Sequence, residues 1–99
     1  MVDEDVLKKV YRAINNKQMR FILKTINEDK AMTYSEILQT MKDCNLTKDS
    51  SKIAYYVRHL RNANMLTIDD CTKKYILSRI GIQSLDVITN FEKICKTYD

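Results

Sequence analysis

The stretch SSKIAYYVRHLRNANML, residues 50–66, combines a helical spacing of apolar residues with a set of outward polar groups. Ile53, Val57 and Leu60 fall on one face of an α-helix, which we expect to turn toward the core. Because each residue turns the helix by about 100°, a second set of side chains points outward or lies on the flank. They are Ser51, Tyr55, Arg58 and Asn62 directly outward, with Lys52 and His59 on the flank. The stretch therefore predicts a helix over residues 50–63 with cations, phenols and an imidazole on its outer side.

The composition indicates one small, mostly helical domain. The chain has 99 residues, of which 44% are hydrophobic and 30% charged, and its lack of Pro and single Gly argue against a turn-rich sandwich or barrel. No apolar run approaches the ~18 residues of a membrane span, and the acidic opening MVDEDV does not resemble a signal peptide. We expect a cytoplasmic protein with no membrane partner.

Local signals predict the helices on either side of residues 50–63. TYSE, residues 33–36, is a capping box, in which Thr33 and Glu36 each accept a hydrogen bond from the other's backbone amide. Either Thr47 or Asp49 can cap the helix that follows. The hydrophobic spacing predicts two earlier helices and one later helix, at residues 3–15, 17–28 and from Ile82 onward.

The hydrophobic period changes from helical to alternating after residue 65. LTI and YIL each place two apolar side chains on one face, and the polar DDCTKK separates them. This pattern predicts an antiparallel hairpin over residues 66–78 with a charged tip that lacks Gly and so needs a wide loop.

This order of elements resembles the winged helix-turn-helix of the arsenic-repressor and multiple-antibiotic-resistance-repressor superfamily over about residues 17–90. TYSEILQTM is similar to the first helix of the helix-turn-helix, residues 50–66 to the recognition helix, and YILSRIG to the second wing strand entering the last helix. Asn64 stands where such proteins have Gly, and Asn is the next-best residue for the positive φ needed there. The size and style are closest to small winged-helix proteins of thermophilic archaea and their viruses. If the protein is viral, the resemblance implies that it acts in the host cytoplasm.

The resemblance implies a mainly α, winged-helix domain with a small β-hairpin that binds double-stranded DNA. The helix-turn-helix would span residues 33–63, with its recognition helix in the major groove, and the wing would span 66–78 beside it. Lys73 and Lys74 would contact phosphates or the minor groove, opposed by nearby Asp69 and Asp70. The predicted DNA-binding residues are Ser51, Lys52, Tyr55, Arg58, His59, Asn62, Lys73 and Lys74.

The charge distribution agrees with a polyanionic partner. Of the formal net charge of +4, +3 lies in residues 48–74, where six Lys or Arg face three Asp. Arg61 points partly sideways from the outward helix face, where it would meet either a phosphate or an intramolecular acid. An excess of cations around the predicted recognition helix favours nucleic acid over other partners.

The terminal helices, residues 1–15 and 81–98, are predicted to form a homodimer interface. Large apolar residues exposed to water would cost roughly 1.5–3 kcal/mol each relative to burial, and a small core cannot cover both helices. A two-fold dimer would set the recognition helices about 34–36 Å apart and predicts a near-palindromic operator. The alternative is that the two helices bury each other within one chain. The predicted interface residues are Val6, Val10, Tyr11, Ile14, Leu85, Ile88, Phe91 and Cys95, with Tyr98 continuing the stripe and Ile82 and Ile94 widening it.

No arrangement of residues predicts an enzyme, a cofactor, a metal or a small-molecule effector. The chain has no Gly-rich phosphate loop, no Ser-His-Asp arrangement and no paired carboxylates in an apolar setting. His59 is the only His, and none of the three Cys has C-x-x-C or Cys-His zinc spacing. The Cys-x-Cys metal-sensing motif of the arsenic repressors is also missing, so metal sensing is not expected. Cys44, Cys71 and Cys95 are expected as free thiols, with a Cys95 disulfide across the dimer as the alternative.

The sequence therefore predicts a sequence-specific, dimeric transcription regulator. Two other uses of the same fold stay open: a winged-helix module for protein–protein interaction, in which the basic face is incidental, and an architectural protein that binds DNA without sequence preference.

Overall fold

The computed structural model describes residues 2–47 and 49–97, which form five helices and one two-stranded antiparallel hairpin. The elements predicted from the sequence are all present, with boundaries within about three residues. In chain order they are α1 (Glu4–Ile14), α2 (Lys17–Asp29), α3 (Tyr34–Asp43), α4 (Ser50–Asn62), β1 (Leu66–Ile68), β2 (Tyr75–Leu77) and α5 (Arg79–Thr97).

Side-chain caps begin four of the helices. The Thr33 hydroxyl accepts from the Glu36 amide at 3.1 Å, and the Glu36 carboxylate accepts from the Thr33 amide at 2.9 Å, which confirms the capping box at α3. Asp49, rather than Thr47, caps α4. Asp3 and Asn16 cap α1 and α2 in the same way. Each cap satisfies amides that would otherwise have no partner in the first turn.

A residue with positive φ follows the C-terminus of α2, α3 and α4. Asn64 has φ of 61°, as predicted, and follows the last residues of α4. The amide of Met65 donates to the carbonyl oxygen of Leu60 at 2.9 Å, so the chain reverses tightly into β1. Asn45 after α3 and Lys30 after α2 also have positive φ, of 57° and 71°, although the ψ of −39° at Lys30 lies outside the left-handed helical region.

The hairpin pairs Leu66 with Leu77 and Ile68 with Tyr75. Tyr75 also exchanges both backbone hydrogen bonds with Met32, which precedes α3, at 3.0 and 2.7 Å. This second line of pairing, which the sequence did not predict, ties β2 to the segment between α2 and α3. The hairpin is therefore held at a defined angle to the helices.

One core joins all of these elements. Residues of α2, including Ile22, Leu23 and Ile26, are its centre, and Ile53 and Leu60 contribute the inner face of α4 as predicted. The rest of the buried apolar set comes from all five helices, from the hairpin and from the segments that join them: Ala13, Met19, Met32, Ile37, Met41, Val57, Ala63, Met65, Leu66, Leu85 and Ile88.

The first turn of α5 docks on the turn between α4 and β1. Ser78 donates from its hydroxyl to the carbonyl oxygen of Asn64 and accepts from the amide of Gly81 at 3.1 Å. Its own amide donates to the carbonyl oxygen of Met65 at 3.0 Å. These bonds start α5 at Arg79, before the position that hydrophobic spacing alone indicates.

The predicted dimer stripe on the terminal helices consists of some residues buried in the core of the same chain and others that are exposed. Leu85 and Ile88 are only 7% and 2% exposed and belong to the core of the same chain, so their assignment to a dimer interface is wrong. Val10 and Ile14 are half-buried against that core, whereas Phe91 and Cys95 are exposed. The intrachain alternative is thus correct for part of the stripe, because one side of α5 packs onto α1 and α2. Val6 is half-buried, Tyr11 is exposed, and Tyr98 lies outside the described residues.

None of the helices in the described part of the chain has the length and apolar composition needed to span a bilayer.

Candidate nucleic-acid interface

The outer face of α4 has the orientation that its sequence predicts. Tyr55, Arg58 and Asn62 are exposed, and so are Ser51 and Lys52 near the start of the helix. Ile53, Val57 and Leu60 on the opposite side are buried. The helix therefore presents one phenol ring, cations and an amide on one continuous outer surface, because its apolar residues are confined to the inner face.

The N-terminus of α4 is held by a carboxylate. Asp49 accepts from the hydroxyl of Ser51 at 2.6 Å and from its amide at 2.9 Å. These hydrogen bonds, the side-chain bond first, lower the pKa of Asp49 below its ordinary value. Stabilisation from this cap is present above the ordinary pKa and is lost as the pH falls through the lowered one. Ser51 keeps its hydroxyl lone pairs as acceptors toward a bound molecule.

An open cleft of about 410 Å³ separates α4 from the hairpin. Arg58, Arg61 and Asn62 line it from the helix, and Tyr75 lines it from β2, with Ala54 and Val57 below. Arg61 and Tyr75 were not among the predicted DNA-binding residues. No acidic partner of Arg61 occurs in residues 2–47 and 49–97, so its guanidinium faces the cleft without a neutralising carboxylate.

The donors of this cleft suit a phosphate or the edge of a base. A guanidinium offers five N–H groups in a planar fork that matches two acceptor oxygens at once. The Asn62 amide and the Tyr75 hydroxyl add hydrogen-bond donors from the two sides of the cleft. In the sequence, Tyr75 stands out only because it alternates with Leu77. This pattern predicts that Tyr75 lies in a strand, but it does not predict that Tyr75 lines a cleft with α4.

Aromatic packing fixes the ring of Tyr55. Its centroid lies 5.9 Å from that of Tyr56, with the two rings at 64°, and 6.2 Å from that of His59. The contact with Tyr56 is edge-to-face, an arrangement that adds to the stability of a ring position, and the ring of His59 is tilted at 34° to that of Tyr55. The phenol of Tyr55 is therefore presented outward from a supported ring.

His59 does not belong to the exposed surface, and its predicted role in DNA contact is wrong. Only 8% of the residue is exposed, because α1 packs along the flank of α4 that the sequence analysis left open. Nε2 of the ring donates to the carbonyl oxygen of Lys9, at 3.0 Å. The imidazole thus joins α4 to α1 as a structural hydrogen bond.

We expect His59→Ala to lower stability and leave DNA affinity per folded molecule unchanged. Loss of a buried hydrogen bond and of the ring's packing should reduce the free energy of unfolding by about 1–3 kcal/mol. Urea unfolding followed by circular dichroism measures this. Lys52→Ala, at an exposed position on the same helix, is the matched control and should change stability by less than about 0.5 kcal/mol. A loss of DNA affinity at unchanged stability would contradict this assignment.

The packing of α1 on α4 places additional cations beside α4. Lys8, Lys9 and Arg12 surround a shallow cleft of about 210 Å³ beside His59, together with Asp5. In the sequence these residues are only the polar side of an amphipathic helix. Their position next to α4 depends on a contact between segments about fifty residues apart, so the local pattern could not predict it.

The hairpin tip is an ordered loop with one clearly exposed cation. Asp69 accepts from the amide of Thr72 at 3.0 Å and from its hydroxyl at 2.7 Å, which lowers the pKa of Asp69. Lys73 is exposed and has φ of 60°. A non-Gly residue thus takes the positive φ that Gly often has in a hairpin turn. Lys74 is half-buried. The hydrogen bonds from Thr33 are the largest causes of the lowered pKa of Glu36; desolvation opposes them, and the charge of Lys74 adds a smaller lowering effect.

The structure thus collects most of the predicted site on one side of the molecule. Arg58 and Asn62 share the α4–hairpin cleft, Ser51, Lys52 and Tyr55 continue along α4, and His59 is excluded. Within the described residues, no three His, Cys, Asp or Glu side chains come together as a metal site would require. Cys44, Cys71 and Cys95 are free and exposed.

Comparison of the chain with protein-family models, with curated proteins and with solved structures finds no match.

Proposed function

We propose that the protein is a double-stranded-DNA-binding transcription regulator of the winged helix-turn-helix class that acts as a homodimer. In this proposal α3 and α4 form the helix-turn-helix, α4 is the recognition helix in the major groove, and the hairpin is the wing. The observation that carries the proposal is the α4–hairpin cleft, where Arg58, Arg61, Asn62 and Tyr75 converge.

The arrangement supports separate roles for the residues of this surface. Arg58 and Asn62 lie on the outermost face of α4, where a guanidinium reaches guanine and an amide reaches adenine by two hydrogen bonds. Arg61 lies on the side of α4 that faces the hairpin, and Tyr75 lies in β2. The backbone phosphates beside the groove would pass between them. Lys8 and Arg12 would meet phosphates on the α1 side.

The homodimer part of the proposal rests on an apolar seam on the outer side of α5. Ile80, Val87, Phe91 and Ile94 follow one another at intervals of seven, four and three residues and are between 37% and 57% exposed. Intervals of four and three are those of a helix that packs against another helix. The seam ends at a groove of about 430 Å³, which is lined by Val2 and by three residues of α1: Val6, Leu7 and Val10.

A second copy is the occupant that this surface favours. A two-fold axis would place the same seam on both partners, so one set of exposed apolar residues would cover the other. The proposed interface therefore keeps Val6, Phe91 and Ile94 from the predicted stripe and replaces Leu85 and Ile88 by Ile80 and Val87.

Selection from a random DNA pool tests the proposed function. We expect the purified protein to enrich one near-palindromic motif, as detected by sequencing the DNA retained in a mobility-shift assay. Uniform retention of the pool would instead indicate an architectural role, and no retention at low salt would leave only the protein-interaction alternative.

Two variants test the division of roles. Arg58→Ala should weaken binding to the selected motif by about 1–3 kcal/mol and relax base preference at one position. Lys74→Ala should weaken all sequences to a similar, smaller extent. Lys96→Ala, at an exposed position on α5 outside this surface, is the control. Unchanged affinity of the Arg58 and Lys74 variants across all sequences would rule out the DNA interface.

A further inference from the structure

A further cleft lies between α2, the turn before α4 and the end of α5. It has a volume of about 530 Å³, within the range of about 300–1,000 Å³ that is typical of small-molecule sites. Phe21 and Leu46 are half-buried against the core and form an apolar floor, and Cys95 is exposed at the side. The proposed DNA interface uses none of these residues.

The rim of this cleft is strongly basic. Lys17, Arg20, Lys24 and Lys96 line it against one carboxylate, that of Glu92, so four positive charges minus one negative charge leave a formal charge of +3. Lys24 is paired with that carboxylate, its Nζ lying 2.6 Å from Oε1 and 2.8 Å from Oε2. The hydrogen bond from Lys24 is the largest cause of the lowered pKa of Glu92, and the charges of Arg20 and Lys96 contribute to it.

Two of the rim cations are available to a ligand. Arg20 donates one N–H to the carbonyl oxygen of Ile14 at 2.8 Å, which holds its guanidinium at the cleft. Lys17 and Lys96 are exposed and have no hydrogen-bond or ion-pair partner in residues 2–47 and 49–97. A site with an apolar floor and uncompensated cations at its edge complements a molecule with an apolar body and an anionic group.

We propose that this cleft binds small amphipathic organic anions, with the apolar body on Phe21 and Leu46 and a carboxylate, sulfonate or phosphate between Lys17 and Lys96. The site is independent of the proposed DNA contact. Because Leu46 lies in the turn that leads into α4, a bound ligand would touch the segment that positions that helix.

The test uses anilinonaphthalene sulfonate, a fluorescent probe with an apolar body and one sulfonate, and its uncharged analogue phenylnaphthylamine. We expect saturable binding of the sulfonate with enhanced fluorescence. In ¹⁵N-labelled protein, the shifted amides should cluster at Lys17–Lys24, Leu46 and Glu92–Lys96. Shifts confined to Val6, Val10 and Ile80, in the α1–α5 groove, or the absence of saturable binding, would overturn the proposal.

Charge-reversal variants separate a specific site from general attraction. Lys17→Glu combined with Lys96→Glu should weaken sulfonate binding by about tenfold or more and leave phenylnaphthylamine binding unchanged. Lys8→Glu combined with Arg12→Glu changes the net charge equally at exposed positions on α1 and should have no effect. Equal weakening by both pairs would overturn the proposal.

A cleft-filling variant gives a second measurement that does not depend on charge. Cys95→Trp places a large ring in the cleft from an exposed position and should abolish binding of both probes. Full retention of sulfonate binding at the same stoichiometry in this variant would show that the cleft is not the site.

Discussion

Val87→Asp combined with Phe91→Asp is expected to convert the protein from a dimer into a folded monomer. Both side chains lie on the outer seam of α5 and are 43% and 57% exposed in the single chain, so aspartate is tolerated there without a partner. Burial of a valine or phenylalanine contributes about 1.5–3 kcal/mol, and a two-fold axis uses each position twice. We therefore expect the dimer dissociation constant to rise by more than about a hundredfold.

Sedimentation equilibrium at micromolar concentration measures this change. The wild type should sediment near twice the 11.7 kDa chain mass, and the double variant near the chain mass itself. Ile82→Asp is the matched control, because Ile82 is 49% exposed on the same helix but points away from the seam. A wild type that sediments as a folded monomer would contradict the dimer and the palindromic operator together.

Gly81→Ala is expected to have the largest effect on stability of any single substitution considered. A Cβ at this position would lie 2.2 Å from the carbonyl oxygen of Met65 and 3.1 Å from its carbonyl carbon. Met65 is fully buried, and that oxygen also accepts the amide of Ser78, so neither backbone can move aside alone. The helix would have to withdraw from the turn between α4 and β1.

The expected loss in the free energy of unfolding is about 3 kcal/mol or more, the upper end for overpacking. It exceeds the gain of about 1 kcal/mol that alanine brings to a helix interior. In thermal unfolding the midpoint should fall by more than about 10 °C. Gln83→Ala, at an exposed position of the same helix, should leave the midpoint unchanged or slightly higher. An equal or higher midpoint for Gly81→Ala would show that α5 does not approach Met65 so closely.

The local structure followed closely from the sequence. The capping box at Thr33, the positive φ of Asn64, the hairpin and the outward side of α4 were all predicted, and the structure confirms them. These features depend on interactions between residues no more than a few positions apart or on the period of a single element. A short segment of the sequence is therefore enough to predict each of them.

The candidate site was only partly predictable for the same reason. Arg58 and Asn62 could be assigned to the outer face of α4 from the helical turn alone. Tyr75 reaches the same cleft only because β2 is paired with Met32 as well as with β1. That pairing joins segments more than forty residues apart, and the sequence of neither segment specifies it.

By itself, the sequence determined the order of the elements, their caps and the side of α4 that carries the cations. Only the tertiary structure decided which segments cover the flank of α4 and which face of α5 turns toward the core. It placed α1 on the flank of α4, which buries His59, and it turned Leu85 and Ile88 of α5 inward while Val87 and Phe91 stayed outside. A helix with apolar residues on more than one side can satisfy the hydrophobic effect in several orientations. The choice among them depends on the shape of distant neighbours, which no local pattern contains.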